Sequence, residues 1–162
     1  MKRKLILAAM LMAATPAAAQ EIVLGFGTTR FNSPSASNAI LAEIEWHSAP
    51  MGRVGRAAWH VAGVGLVTGE GDAFLGLGLG ADLPLGDRGW FLQGSIAPGY
   101  YRASGAVNEL GSDFEIRSAI ALGYRFDSGW SLSGGVSHLS NANLGSRNPG
   151  LNVATIRFGF GY

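Results

Sequence analysis

The stretch Phe114-Glu115-Ile116-Arg117-Ser118-Ala119-Ile120-Ala121-Leu122-Gly123-Tyr124-Arg125-Phe126 decides the fold class. Phe114, Ile116, Ile120, Leu122, Tyr124 and Phe126 share one face. Glu115, Arg117, Ala119, Ala121, Gly123 and Arg125, with Asp113 just before them, share the other. A period of two belongs to a strand, whose successive side chains point to opposite faces. A soluble sandwich also alternates, but it turns the apolar face inward and the polar face to water. Here the face opposite the large apolar residues is small or charged, which suits a narrow lumen packed with glycine and a few paired ions.

The same pattern recurs on either side. Ile40, Ile44 and Trp46 alternate with Glu43 and Glu45, and Leu75, Leu77, Leu79 and Leu83 alternate with Gly76, Gly78, Gly80 and Asp82. Eight such segments can be read, at roughly 21–29, 38–48, 56–69, 73–84, 89–103, 112–126, 129–141 and 151–162. An even number of strands, each near the ~9–11 residues needed to span a bilayer, is the bacterial barrel pattern. Glycine is frequent (25 of 162 residues) and 48% of residues are hydrophobic, yet only 14% are charged. No stretch after residue 19 supplies the ~20 consecutive apolar residues of a spanning helix. A closed barrel is the other way to satisfy every backbone group in lipid. The expected fold is therefore all-β, an eight-stranded antiparallel transmembrane β-barrel, with a lumen too narrow for a channel.

The termini and turns agree. Lys2, Arg3 and Lys4 precede the short apolar run Leu5 to Ala14, and Ala17-Ala18-Ala19 offers small residues for signal peptidase. Residues 1–19 read as a secretory signal peptide, leaving residues 20–162 as one outer-membrane barrel domain. That domain keeps nine basic residues against 11 acidic ones and has no lysine, so nothing in its charge suggests nucleic acid. There is no cysteine, which excludes disulfides and thiol chemistry. Asp87 with its flanking glycines, and Asp127-Ser128-Gly129, are short turns expected on the periplasmic side. The longer links at 30–37, 103–111 and 142–150 then face outward. The end, Ile156-Arg157-Phe158-Gly159-Phe160-Gly161-Tyr162, resembles the closing aromatic signal of outer-membrane barrels.

One region looks chemical: Ser137-His138-Leu139-Ser140-Asn141-Ala142-Asn143, then Asn148-Pro149-Gly150-Leu151-Asn152. His138 and Ser140 share the parity of Trp130, Leu132 and Val136, so they point out of the barrel near the outer end of their strand. Asn152 extends the outward row of Ala154, Ile156, Phe158 and Phe160, and in a hairpin it can lie beside His138. Polar side chains facing lipid cost free energy unless they are satisfied or used. The geometry permits a serine nucleophile, a histidine base and a third polar group on the outside wall. The bland alternative is a polar barrel rim. Glu43 and Glu45 are read as lumen neutralisers of Arg117, Arg125 or Arg157. His47 and His60 lack a metal-site arrangement and are read as structural. Gly76-Leu77-Gly78-Leu79-Gly80 lies inside a strand and is lumen packing, not a nucleotide loop.

His138-Leu139-Ser140-Asn141-Ala142 followed by Asn148-Pro149-Gly150 resembles the signature of the lipid A 3-O-deacylase (PagL) family, small outer-membrane barrels that remove the 3-position acyl chain of lipid A. The resemblance implies a serine hydrolase (carboxylic ester hydrolase) acting on lipid A, or lipopolysaccharide, in the outer leaflet. Ser140 would be the nucleophile, His138 the base and Asn141 a contributor to the oxyanion hole. No metal or cofactor is implied, and homodimerisation is left open. The family's triad ends in a glutamate at the position of Asn152, so this chain has an amide where a carboxylate is expected. That departure keeps two alternatives open: a non-catalytic structural or adhesive barrel, and an esterase for another lipid.

Overall fold

The computed structural model describes residues 19–32, 36–145 and 147–161. Residues 1–18 of the expected signal peptide (1–19) and the closing Tyr162 lie outside the described residues. The strands are β1 (Ala19–Phe31), β2 (Ile40–Ser48), β3 (Gly52–Val54), β4 (Ala57–Thr68), β5 (Ala73–Pro84), β6 (Trp90–Arg102), β7 (Phe114–Arg125), β8 (Trp130–Ser140) and β9 (Leu151–Gly161). Neighbours in sequence pair antiparallel except β2 and β3; β1 pairs with β9, and β2 with β4. Eight strands thus close a barrel, and the short β3 only extends the hairpin at the foot of β4. The sequence reading gave the eight long strands; β3 is too short to register as a separate period.

Closure removes the edge problem and forces a strict division of faces. Phe26, Ile44, Leu75, Leu77, Ile120, Val136 and Ile156 are all at least half exposed on the outer wall. In water this would be an untenable apolar patch; around a spanning barrel it is the lipid surface. At the end carrying the short turns, Trp90, Tyr124, Phe126 and Trp130 form a chain of ring contacts. Phe126 and Trp130 stack at 4.0 Å between centroids, and Tyr124 meets Phe126 edge-on at 5.0 Å. Such an aromatic girdle marks a membrane interface.

The lumen is filled. Arg117 bonds Glu43 at 2.9 Å and approaches Glu45 at 2.8 Å, while Arg157 pairs with both glutamates and bonds Gln93. Removing one partner of such a buried pair typically costs about 3–5 kcal/mol, because the other charge is stranded. Arg125 differs from expectation: its partner is Glu21, at 3.0 Å, not Glu43 or Glu45. His47 sits between Glu21 and Glu45 at 3.2 and 2.9 Å, and its ring meets that of His60 at a tilt, 4.6 Å between centroids. Glycine makes the room: a Cβ at Gly25 would strike the Glu43 side chain at 2.5 Å.

The charged lumen inferred from 114–126 occupies only part of the interior. Toward the long loops an apolar cluster of Leu66, Phe74, Tyr101, Leu110, Leu139, Leu151 and Val153 packs together beside the buried polar residues Asp72, Asn108, Glu115 and Asn141. Leu139 and Leu151, both fully buried, face each other across the β8–β9 pair. They clamp the inner face of the hairpin whose outer face carries His138, Ser140 and Asn152.

Candidate active site

Four outward residues on four adjacent strands stand in one transverse row. Arg30 of β1 pairs with Asn152 of β9, Asn152 with His138 of β8, and His138 with Ser118 of β7. Directly paired side chains lie about 4.5–5.5 Å apart at Cβ, close enough for hydrogen bonds. The bond forms: His138 Nδ1 and Asn152 Oδ1 are 2.8 Å apart. An amide oxygen only accepts, so Nδ1 is the donor, which in the neutral imidazole leaves Nε2 as the acceptor. The far side of Asn152 is also held, its Nδ2 donating to Asn32 Oδ1 at 3.0 Å.

Ser140 lies one outward step beyond His138 on β8, half-buried and opposite Ile116 of β7. No hydrogen bond joins Ser140 to His138 among the described residues. Catalytic contacts often tighten only when substrate is bound. The Nε2 edge of the ring lies over Gly150: a Cβ there would come within 2.7 Å of His138 Cε1 and 3.2 Å of Nε2. Gly150 also has φ +71°, a left-handed conformation that glycine adopts without penalty. Gly150→Ala is therefore expected to push the ring off its position; NMR shifts of the His138 ring in the folded variant measure this, and an unchanged ring would mean that Gly150 makes no room for it.

Asn141 is turned the opposite way, as its odd parity requires. It is fully buried, and its Nδ2 donates to Arg147 O at 2.8 Å and Leu110 O at 3.0 Å, with Glu115 Oε1 further off at 3.4 Å. Its side chain ties the outer loops to the lumen and leaves no amide donor toward Ser140. Its backbone N–H donates to Asn148 Oδ1 at 3.2 Å. Beyond it the chain reverses through Ala142 and Asn143, at φ 52° and 63°, with Leu144 N bonded back to Asn141 O. Two consecutive left-handed residues store strain, more at Ala142 than at Asn143. The Asn-Pro-Gly segment therefore has local work: Asn148 holds the Asn141 N–H, and Gly150 makes space for the histidine.

Below the row, toward the bilayer centre, lies a depression of about 690 Å³ on the outer wall. Val136, Ile120, Ala154 and Thr28 form its walls and floor, and His138 and Asn152 stand at its upper rim. Small residues on β9 and β1 make it concave beside the bulkier Ile120 and Val136. The sequence reading missed Thr28, Arg30 and Asn32, because β1 joins β9 only through barrel closure. Among the described residues no cluster of histidine and carboxylate groups could hold a metal ion.

The family model for lipid A 3-O-deacylase (PagL) matches residues 25–161, nearly the whole barrel. The chain belongs to this lipid A 3-O-deacylase family. No curated protein matches it. Among solved structures, the outer membrane enzyme PagL superimposes with a TM-score of 0.68 at 15% identity, covering 88% of this chain and 99% of that one. Neisserial surface protein A (NspA) gives 0.59 at 9% identity, covering 88% and 96%. A de novo designed transmembrane β-barrel gives 0.55 at 10% identity, covering 89% and 97%. At these identities the structures speak for the fold alone; the family match carries the hydrolase class. This PagL-family chain is an outer-membrane β-barrel.

Proposed function

We propose that this barrel is a serine esterase that removes the 3-position acyl chain of lipid A from the outer leaflet. The observation that carries the reading is the 2.8 Å bond from His138 Nδ1 to Asn152 Oδ1 on the lipid-facing wall, above a depression suited to an acyl chain. A buried lumen site could serve a soluble ligand. A site on the outer wall serves a molecule that arrives sideways through the membrane.

Ser140 Oγ attacks the ester carbonyl while His138 Nε2 takes its proton. The tetrahedral oxyanion takes the place of the Asn148 side-chain oxygen on the backbone N–H of Asn141, the residue next to the nucleophile. Collapse passes the proton from His138 to the sugar 3-oxygen and leaves an acyl-Ser140 ester. Water, deprotonated by the same Nε2, then releases the fatty acid and restores Ser140. Asn152 keeps the imidazole in the tautomer that can accept at Nε2 throughout.

Purified barrel reconstituted in bilayers containing lipid A and phospholipid tests the substrate. Loss of one 3-hydroxyacyl unit from lipid A, with phospholipids intact, is the expected mass-spectrometric result. Fatty acid released from phospholipid alone would make the chain an esterase of a different lipid.

A further inference from the structure

Asn152 poses a problem that a carboxylate would not. A carboxylate presents an oxygen whichever way it rotates; an amide has a correct face and a wrong one. With Oδ1 toward His138 the ring carries its proton on Nδ1 and Nε2 is free to act. With Nδ2 toward His138 the ring must accept at Nδ1, so the proton moves to Nε2 and blocks the base. The amide must also accept, not donate, when the ring becomes imidazolium in the transition state. Something has to favour the productive face.

Asn32, just past β1, is placed to do so. Its Oδ1 accepts from Asn152 Nδ2 at 3.0 Å, and its backbone N–H donates to Gly150 O at 3.2 Å, which anchors it to the entry of β9. The chain of contacts runs from Asn32 through Asn152 to His138. We propose that Asn32 is a fourth member of the site, a positioning residue that holds the Asn152 amide with its oxygen toward His138. The inference rests on the esterase reading and deepens it, since it says how an amide can occupy the acid's place. Asn32 touches neither substrate nor the reacting atoms; it acts through Asn152.

The reverse relay is the competitor. If Asn32 also turned, its NH2 would donate to Asn152 Oδ1, and the Asn152 NH2 would donate to His138 Nδ1, with equal hydrogen-bond count and an inactive ring. Asn32→Asp removes that competitor, because a carboxylate at 32 can only accept. Asn32→Ala removes the bias altogether. Asn152→Asp makes the bias unnecessary, because both of its oxygens accept.

The test uses the folded full barrel with lipid A, in wild-type form and as N32A, N32D, N152D and N32A/N152D. Expected are an approximately tenfold loss of kcat in N32A with KM unchanged, and a severalfold gain in N32D. N32A should change kcat by less than about twofold in the N152D background. ¹⁵N shifts of the His138 ring report the tautomer independently of activity: Nδ1–H in wild type and N32D, with an Nε2–H fraction appearing in N32A. An N32A ring identical to wild type would overturn the proposal. So would an N32A loss of equal size in the N152D background, which would make Asn32 a merely structural contact. A ring held as Nδ1–H by Asn32 in a barrel that leaves lipid A intact, as wild type and as N152D, would overturn the esterase reading instead.

Discussion

Replacing Ser140 by alanine is expected to lower deacylation about 10⁴-fold, and His138→Ala to do nearly the same. The amide at 152 already leaves the site short of the ~10⁶ that a complete triad loses. A nucleophile and its base act as one unit, so the double variant should be no worse than either single one. The reason is visible in the hairpin. Leu139 and Leu151 fill the lumen behind it, so the strand cannot rotate to present another residue, and Ser140 is the hydroxyl one outward step from the histidine. Neither substitution disturbs the core, since both side chains are only half-buried on the outer wall. Single-turnover kinetics on folded barrels would read the effect. A Ser140→Ala barrel that kept more than about a hundredth of the activity would place the nucleophile elsewhere.

Asn152→Asp should act in the opposite direction. It exchanges one NH2 for an oxygen and leaves the atom now 2.8 Å from His138 Nδ1 in place. In a serine hydrolase the exchange of triad acid for amide lowers kcat by ~10⁴, so restoring the acid here has a ceiling near that factor, about 5.4 kcal/mol of transition-state stabilisation. Because Asn32 already secures the correct tautomer, the part that remains is the charge facing the imidazolium. A gain of about 100-fold is the expected result, carried by kcat and not by KM. Asn152→Glu restores the residue implied by the family resemblance, but it must fit one more methylene against Arg30 of the neighbouring strand. Lower activity in Asn152→Asp would show that the site is built around the amide.

Much of this was legible in the sequence because parity is a physical constraint. The alternation at 114–126 identifies the wall and the lumen, and the same rule places His138, Ser140 and Asn152 on one outer row before any contact is seen. Parity also directs Asn141 inward, where its amide serves the loops and lumen, while its backbone N–H is bonded to Asn148 Oδ1; analogy with the family suggested an oxyanion role. Two things were hidden. A local pattern does not say which strands meet when the sheet closes, so the β1 side of the site, Thr28, Arg30 and Asn32, was invisible. Nor does alternation distinguish a charged lumen from an apolar one. The segment with Glu115 and Arg117 predicts glycine and a few paired ions in the lumen; the cluster of Phe74, Tyr101, Leu139 and Leu151 at the outer end has no mark in that pattern.

The most direct measurement is mass spectrometry of lipid A from cells expressing either the wild-type chain or Ser140→Ala, with both barrels shown to be folded in the outer membrane. Loss of one 3-hydroxyacyl unit with the wild type and none with the variant is the predicted result. Unchanged lipid A in both, with both barrels folded, would contradict the account and leave a barrel of the deacylase family that does not deacylate.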